Sequence, residues 1–341
     1  MTGQYATLGN DPVGPAITMV AQADYHLAEL DRVAAALDAL GLATRIVVPV
    51  IAWKPMYSRR PTVRRLRQLV ATSGRVLAKP ISVRDLVARS SAVLVMNDWG
   101  VPRELIDMAR QAGVPNAALV EGVQDYADID TGLARHAYRR VDHVFTLGPD
   151  SAANLGHERC TPVGSERVLS LWNQPATPAA AHVLINSNFT YGVMPKVRRG
   201  WVDGAVGAAE DAGQPWVLSR HTAERGRSRH RVDRRPVDAL LATSSYLVSR
   251  FSTVALDALA LGVELIYHNP HHEQEPTFQT EVQGFVVTRS VSELQDRLAA
   301  APRDRSDVRA TAEPFLRRHV LLDPANPPAS LVAAGLAGMV K

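Results

Sequence analysis

The chain has 341 residues, of which 46% are hydrophobic and 21% charged, with a formal net charge of +4. This is the composition of a soluble globular protein, long enough for two domains at roughly 150 residues each. No apolar run approaches the ~18 residues of a membrane span, and the lone Cys160 excludes an internal disulfide and argues against a cysteine-built metal cluster.

The N-terminal MTGQYATLGNDPVG has no basic stretch leading into an apolar one, so no export signal is expected and the chain is placed in the cytoplasm. Pro15 to Ala21 then reads as a strand. His26 to Leu40 carries apolar residues at helical spacing and stops at Gly41, a natural C-cap. Thr44 to Ile51 is the next strand. A helix over Val83 to Arg89 leads into the strand Ala92 to Met96, and a helix over Arg103 to Ala112 leads into Asn116 to Val120. Ala134 to Arg140 is expected to be helical and Asp142 to Leu147 a strand. Alternation of this kind, with nearly continuous apolar strands, indicates a parallel sheet covered on both faces.

Leu171 to Ala181 is rich in Pro and Ala, lacks periodicity and reads as a linker. Beyond it the alternation restarts. Strands are expected at His182–Ile185, Pro215–Leu218, Tyr246–Val248, Glu264–Tyr267 and Phe285–Thr288, with helices at Trp201–Ala212, Thr253–Leu261 and Val291–Ala299. The expected organisation is a first domain over 1–172, a second over 173–325, and a terminal helix over 326–341 that packs back on the first. Two doubly wound α/β domains would then face a central cleft, with ligands at the carboxyl ends of the strands.

Two arginine clusters stand out, RRPTVRRLRQ from Arg59 and ERGRSRHRVDRR from Glu224. They are either solvated faces or attractors of anions such as a phosphorylated substrate or a lipid surface. Few aromatics interleave with them, so no nucleic-acid partner is expected. Arg59, Arg60, Arg64, Arg65 and Arg67, with Leu66 and Leu69 at helical spacing, suit peripheral contact with anionic membrane at the inner face.

The most informative stretch is LVSRFSTVALDALALG, from Leu247 to Gly262. A strand gives way to a helix at Ser252 and Thr253. Both are capping types, but a helix N-terminus also stabilises an anion. Arg250 lies beside the turn, and Arg220-His221 ends the strand before it. Those groups would suit a pyrophosphate. The run SRFSTVALDALALGVELIYHNP resembles the C-terminal signature of GT-B glycosyltransferase-like enzymes. It is most similar to CDP-glycerol glycerophosphotransferases of teichoic acid synthesis and to capsule-type sugar transferases. Ser249, Ser252, Thr253, Asp257, Ala258 and Gly262 fill that family's pattern, and Arg220-His221 stands for its Arg/Lys-x-His-Pro motif, with Thr222 in place of Pro. In the first half, VPNAALVEGVQD, ARHAYRRVDHVFTLGPDSAANL and TPVGSERVL resemble the same families. Glu121-Gly122 replaces their frequent His-Gly.

The resemblance implies a GT-B-like transferase moving a glycosyl or glycerophosphate unit from a nucleotide-diphosphate donor to a hydroxyl acceptor. The acceptor could be lipid-linked, in cell-surface polysaccharide synthesis. The donor would lie on the second domain, held by Asn188, Arg220, His221, Ser249, Arg250, Ser252, Thr253, Asp257 and His268. Three groups at strand edges of the first domain are candidate bases: Glu121, Asp98 and His26. Glu121 ranks first, with burial expected to raise its pKa. Asp125, Asp128 and Asp130 share its loop, and Trp99 follows Asp98. HNPHHEQE, with His268, His271, His272, Glu273 and Glu275, matches no closed zinc pattern and reads as a loop over the donor. Asn186, Asn188, Thr190 and Gly192 follow the first strand of the second half. No P-loop or GxGxxG is present, and no metal or cofactor is expected, since helix dipoles and basic side chains can stabilise a leaving diphosphate. Two alternatives remain. One is a nucleotide-sugar epimerase on the same fold, although SRFSTVALDA stands where a Gly-Gly-Ile-Gln-Glu-Glu-like stretch belongs. The other is a non-catalytic nucleotide-sugar or polymer-binding protein.

Overall fold

The computed structural model describes residues 4–51, 70–71, 73–98, 101–123, 137–175, 182–189, 194, 196–221, 224, 226–279 and 284–340. In chain order its elements begin with β1 (Gln4–Thr7), β2 (Ala16–Val20), α1 (Asp24–Ala39), β3 (Thr44–Ile51), β4 (Ile81–Ser82) and α2 (Val83–Ala88). Next come β5 (Ser90–Val95), α3 (Val101–Gln111), β6 (Asn116–Leu119), β7 (His143–Thr146), α4 (Pro149–Leu155), β8 (Cys160–Pro162) and α5 (Glu166–Trp172). The second half has β9 (Val183–Ser187), α6 (Arg198–Asp211), β10 (Trp216–Arg220), α7 (Val237–Ala242), β11 (Tyr246–Ser249), α8 (Val254–Leu261) and β12 (Glu264–His268). It closes with β13 (Val286–Thr288), α9 (Val291–Ala299), α10 (Arg305–His319) and α11 (Pro328–Met339).

The strands form two sheets, ordered β4-β1-β3-β2-β5-β6-β7-β8 and β10-β9-β11-β12-β13. The second is parallel throughout. The first is parallel except at one edge, where β1 runs antiparallel to both β3 and β4. That edge differs from the all-parallel expectation. Gln4–Thr7 is too short and too mixed to show an apolar period, yet Tyr5 and Ala6 are fully buried against β3. The central strands are as apolar as predicted: every residue of β2, β9 and β12 is buried, as required of strands covered on both faces.

The helices follow their patterns. Leu27, Leu30, Val33 and Leu37 put one face of α1 into the core. The terminal α11 lays Ala329, Val332, Ala333 and Leu336 into that same cluster. In α8, Ala255 to Leu261 are all buried, because it is wedged between α5 of the first half and α10. Gly262 ends α8 in the left-handed region at φ 76°, and a side chain there would overlap the Arg305 backbone. The expected linker starts late, since α5 runs on through Leu171 to Trp172. Residues 137–140 of the expected helix over Ala134 to Arg140 form a turn. Missed altogether were β1, β4, α4, β8, α5, α7 and α10, which are short or carry charges that blur their apolar face.

Candidate active site

Strand order indicates where a ligand would sit. The chain leaves β2 for β3 on one side and β5 on the other, and leaves β9 for β10 and β11 in the same way. In open parallel sheets the crevice beyond the carboxyl ends at such a reversal is the binding position. There β2 leads to Tyr25 and His26, β5 to Asn97 and Asp98, and β6 to Glu121. In the other half β10 leads to His221 and β11 to Ser252 and Thr253.

Glu121 is where the first group converges. The Tyr25 hydroxyl donates to Glu121 Oε1, and Asn97 Nδ2 donates to Oε2 at 3.3 Å. His26 Nδ1 accepts the Gln22 amide at 3.2 Å. Its proton therefore belongs on Nε2, which points at Glu121 Oε1 from 3.5 Å. Burial pushes the Glu121 carboxyl up, but the His26, Tyr25 and Asn97 contacts outweigh it and hold it below its ordinary value. This reverses the expected direction: near neutral pH Glu121 is a carboxylate, ready to accept a proton. Its side chain is 17% exposed, so one side still opens to a ligand.

Asp98 is engaged differently. Its Oδ2 accepts the Tyr138 amide at 2.8 Å, and burial raises its pKa against that hydrogen bond. Tyr138 sits at φ 61° and anchors its hydroxyl on Met96 O at 3.0 Å.

His221 brings the second half to the same place. Its amide donates to Ser187 O at 2.9 Å, fixing it at the end of β10. Burial lowers its pKa, while the charges of Glu121 and Glu224 pull the other way. The Glu121 charge is thus felt at His221, which the other half supplies. Just before α8, Ser252 Oγ accepts the Val254 amide at 3.3 Å in a local serine turn, and Thr253 at the N-cap makes no side-chain capping bond. Thr253 Oγ1 accepts the Val123 amide at 3.4 Å, tying the loop after Glu121 to the helix N-terminus.

The other expected donor contacts are placed elsewhere. Arg220 turns from the cleft, its Nε donating to Glu224 Oε1 at 2.9 Å and its Nη1 to Gly226 O at 3.1 Å. Arg250 is fully buried. It pairs with Glu273, donates to Asn188 O at 2.8 Å and stacks on Phe189 with its guanidinium carbon 3.8 Å from the ring centre. Asn188 Nδ2 reaches Phe251 O at 3.4 Å. Ser249 is buried in β11. Asp257 pairs with Arg167 of α5 at 2.9 Å rather than facing open space. His268 lies in the second core against Trp201, its Nδ1 2.9 Å from Thr288 Oγ1. These residues support the walls of the site. Thr190, Gly192, Thr222, Trp99, Asp125, Asp128, Asp130 and the run Arg59–Arg67 lie outside the described residues. Among the described residues no three His, Cys, Asp or Glu side chains converge as metal ligands.

Sequence reading missed Tyr25, Asn97, Arg167 and Glu224. The first two sit beside His26 and Asp98 and could have been found by position. Arg167 is a single charged residue with no local pattern, and Glu224 opens the second arginine cluster, where it was not read as their partner.

No protein-family model matches the chain and no curated protein matches it. Solved structures do. A Listeria monocytogenes protein assigned as a UDP-N-acetylglucosamine 2-epimerase superposes with a TM-score of 0.60 at 11% identity, over 96% of each chain. The Methanocaldococcus jannaschii UDP-GlcNAc 2-epimerase, solved with UDP-GlcNAc and UDP, gives 0.55 at 12% identity over 95% of this chain and 99% of its own. The wall teichoic acid polymerase TagF gives 0.54 at 10% identity over 95% and 88%. The chain has the GT-B fold. In that fold the two sheets, that of β2 and that of β9, belong to the two facing halves.

Proposed function

We propose that the protein is a GT-B transferase acting on a nucleotide-diphosphate donor, with Glu121 as general base. The observation that carries this is the Glu121 carboxylate at the carboxyl end of β6, held ionised by Tyr25, His26 and Asn97. An acceptor hydroxyl attacks the donor's electrophilic centre. Its proton passes to Glu121 Oε as the new bond to oxygen forms, and the bond to the leaving phosphate oxygen breaks with its electron pair staying on that phosphate. A neutral His221, with its depressed pKa, offers a hydrogen bond to the developing charge, and the α8 N-terminus adds its dipole. The structural neighbours support a nucleotide ligand, since one was solved with UDP-GlcNAc and UDP.

A second reading, an epimerase, is favoured by one feature: two acid–base groups, Glu121 and His221, come from opposite halves and the charge of one is felt at the other. An epimerase must remove and return a proton at carbon, which two such groups can share. Incubation of UDP-GlcNAc in heavy water without acceptor separates the readings. Deuterium in the recovered sugar selects the epimerase, whereas turnover only with an acceptor selects the transferase. Nucleotide binding with neither outcome leaves a binding protein.

Glu121→Gln keeps the shape of the side chain and removes its basicity. Turnover is expected to fall by at least about a hundredfold, roughly 2.7 kcal/mol, while nucleotide affinity in a calorimetric titration stays within about threefold of wild type, under 1 kcal/mol. Near-normal turnover would shift the role to Asp98 or His26.

A further inference from the structure

At the carboxyl ends of β9 and β10 lies a cavity of about 350 Å³, lined among others by Arg198, Arg220, Glu224, Arg227, Arg229 and His230. With Arg199 it gathers five guanidinium groups against two carboxylates, Asp203 and Glu224. The way Glu224 is held shows what this place recognises. Its carboxylate accepts from Ser187 Oγ at 2.7 Å, the Phe189 amide at 3.0 Å, Arg198 Nη1 at 3.1 Å and Arg220 Nε at 2.9 Å. A hydroxyl, a backbone N–H and two guanidinium groups are the donors a bound oxyanion collects.

Glu224 does not use up the positive charge. Asp203 takes a hydrogen bond from His230 Nε2 at 2.9 Å, but Arg199 and Arg229 stand 3.6 and 3.8 Å from it, beyond hydrogen-bond range. Arg227 has no ion pair among the described residues. The first turn of α6, 14 residues long, carries Arg198 and Arg199 and no acid. The helix dipole disfavours that arrangement until negative charge arrives.

We propose that this cavity, between the first turn of α6 and the segment after β10, is an oxyanion site that takes a phosphate monoester on a small molecule. Arg199, Arg227 and Arg229 hold the phosphate at the mouth, and the Glu224 cluster forms the floor. The volume lies at the low end of small-molecule pockets, about 300–1,000 Å³, so a headgroup-sized or metabolite-sized ligand fits. The proposal does not depend on the assignment of Glu121.

The test is calorimetric titration of inorganic phosphate into the full chain at low salt. It is repeated on a triple variant, Arg199→Gln, Arg227→Gln and Arg229→Gln, and on His221→Ala, each checked for folding by circular dichroism. Phosphate should bind wild type and His221→Ala alike, and the triple variant should lose at least about tenfold in affinity. A parallel arm uses phosphatidic acid vesicles. Binding to vesicles but not to free phosphate would overturn the small-molecule assignment. Absence of phosphate binding to wild type, equal affinity in the triple variant, or loss in His221→Ala alone would overturn the site.

Discussion

At the residue scale, the clearest departures from ordinary chemistry are buried titratable groups away from the cleft. Burial raises the Asp257 carboxyl from 3.8 to about 6, with Arg167 only partly offsetting it. Such a group binds more protons folded than unfolded between those values, so its contribution to stability falls as pH rises through that window. His268 and His319 behave oppositely. Burial lowers each from 6.5 to about 4, so each costs stability as pH falls below 6.5. In wild type the Asp257 contribution opposes the histidines between pH 4 and 6. Asp257→Asn removes that opposition. Thermal unfolding of the variant should lose stability more steeply than wild type as pH drops from 6 to 4, with no loss at pH 7. An unchanged slope, or a variant weakened at pH 7, would show that the Arg167 pair outweighs the burial cost. None of this was visible in the sequence, where Asp257 fills a family pattern and was read as a donor contact. The reading failed because Arg167 is distant in sequence and its pairing depends on how α5 meets α8.

At the element scale, α10 joins the two halves. Its face packs on α8 and α4, and Leu321, just beyond it, donates its amide to Leu147 O at 2.8 Å. Arg309 donates to Gln174 O at 2.7 Å, pinning the end of α5. The approach is so close at Gly148 that an added side chain would overlap the His319 and Val320 backbone. Gly148→Ala must shift α10 or α4. The expected cost is about 1–3 kcal/mol, the range for overpacking, read as a lower urea midpoint. A Gly148→Ala protein with an unchanged midpoint would mean that α10 moves freely against α4. Elements with a strong period were legible: β3 and α9 matched their expected limits residue for residue. Helix α10 was not, because its exposed face is dense with arginine and Pro314 interrupts its pattern.

At the scale of the whole molecule, no described helix is long and apolar enough to cross a membrane. The run Arg59–Arg67 carries Arg59, Arg60, Arg64, Arg65 and Arg67, and anionic lipid attracts such clusters by about 1 kcal/mol per basic side chain near the surface. Flotation with anionic vesicles is expected at low salt and lost at high salt. Absence of flotation at low salt would favour a soluble acceptor. The sequence by itself determined the doubly wound halves and the strand ends at which Glu121 and His221 stand, because apolar periods and strand-to-helix turns are written within a dozen or so residues. Only the tertiary structure decided which charges meet. Tyr25 reaches Glu121 across 96 positions, Arg220 turns to Glu224 rather than the cleft, and Arg250 is buried against Glu273. The physical reason is that a charged side chain carries no mark of its partner. Pairing is set by strand order and by the burial that makes an unpaired charge costly, and both exist only once the sheets have formed.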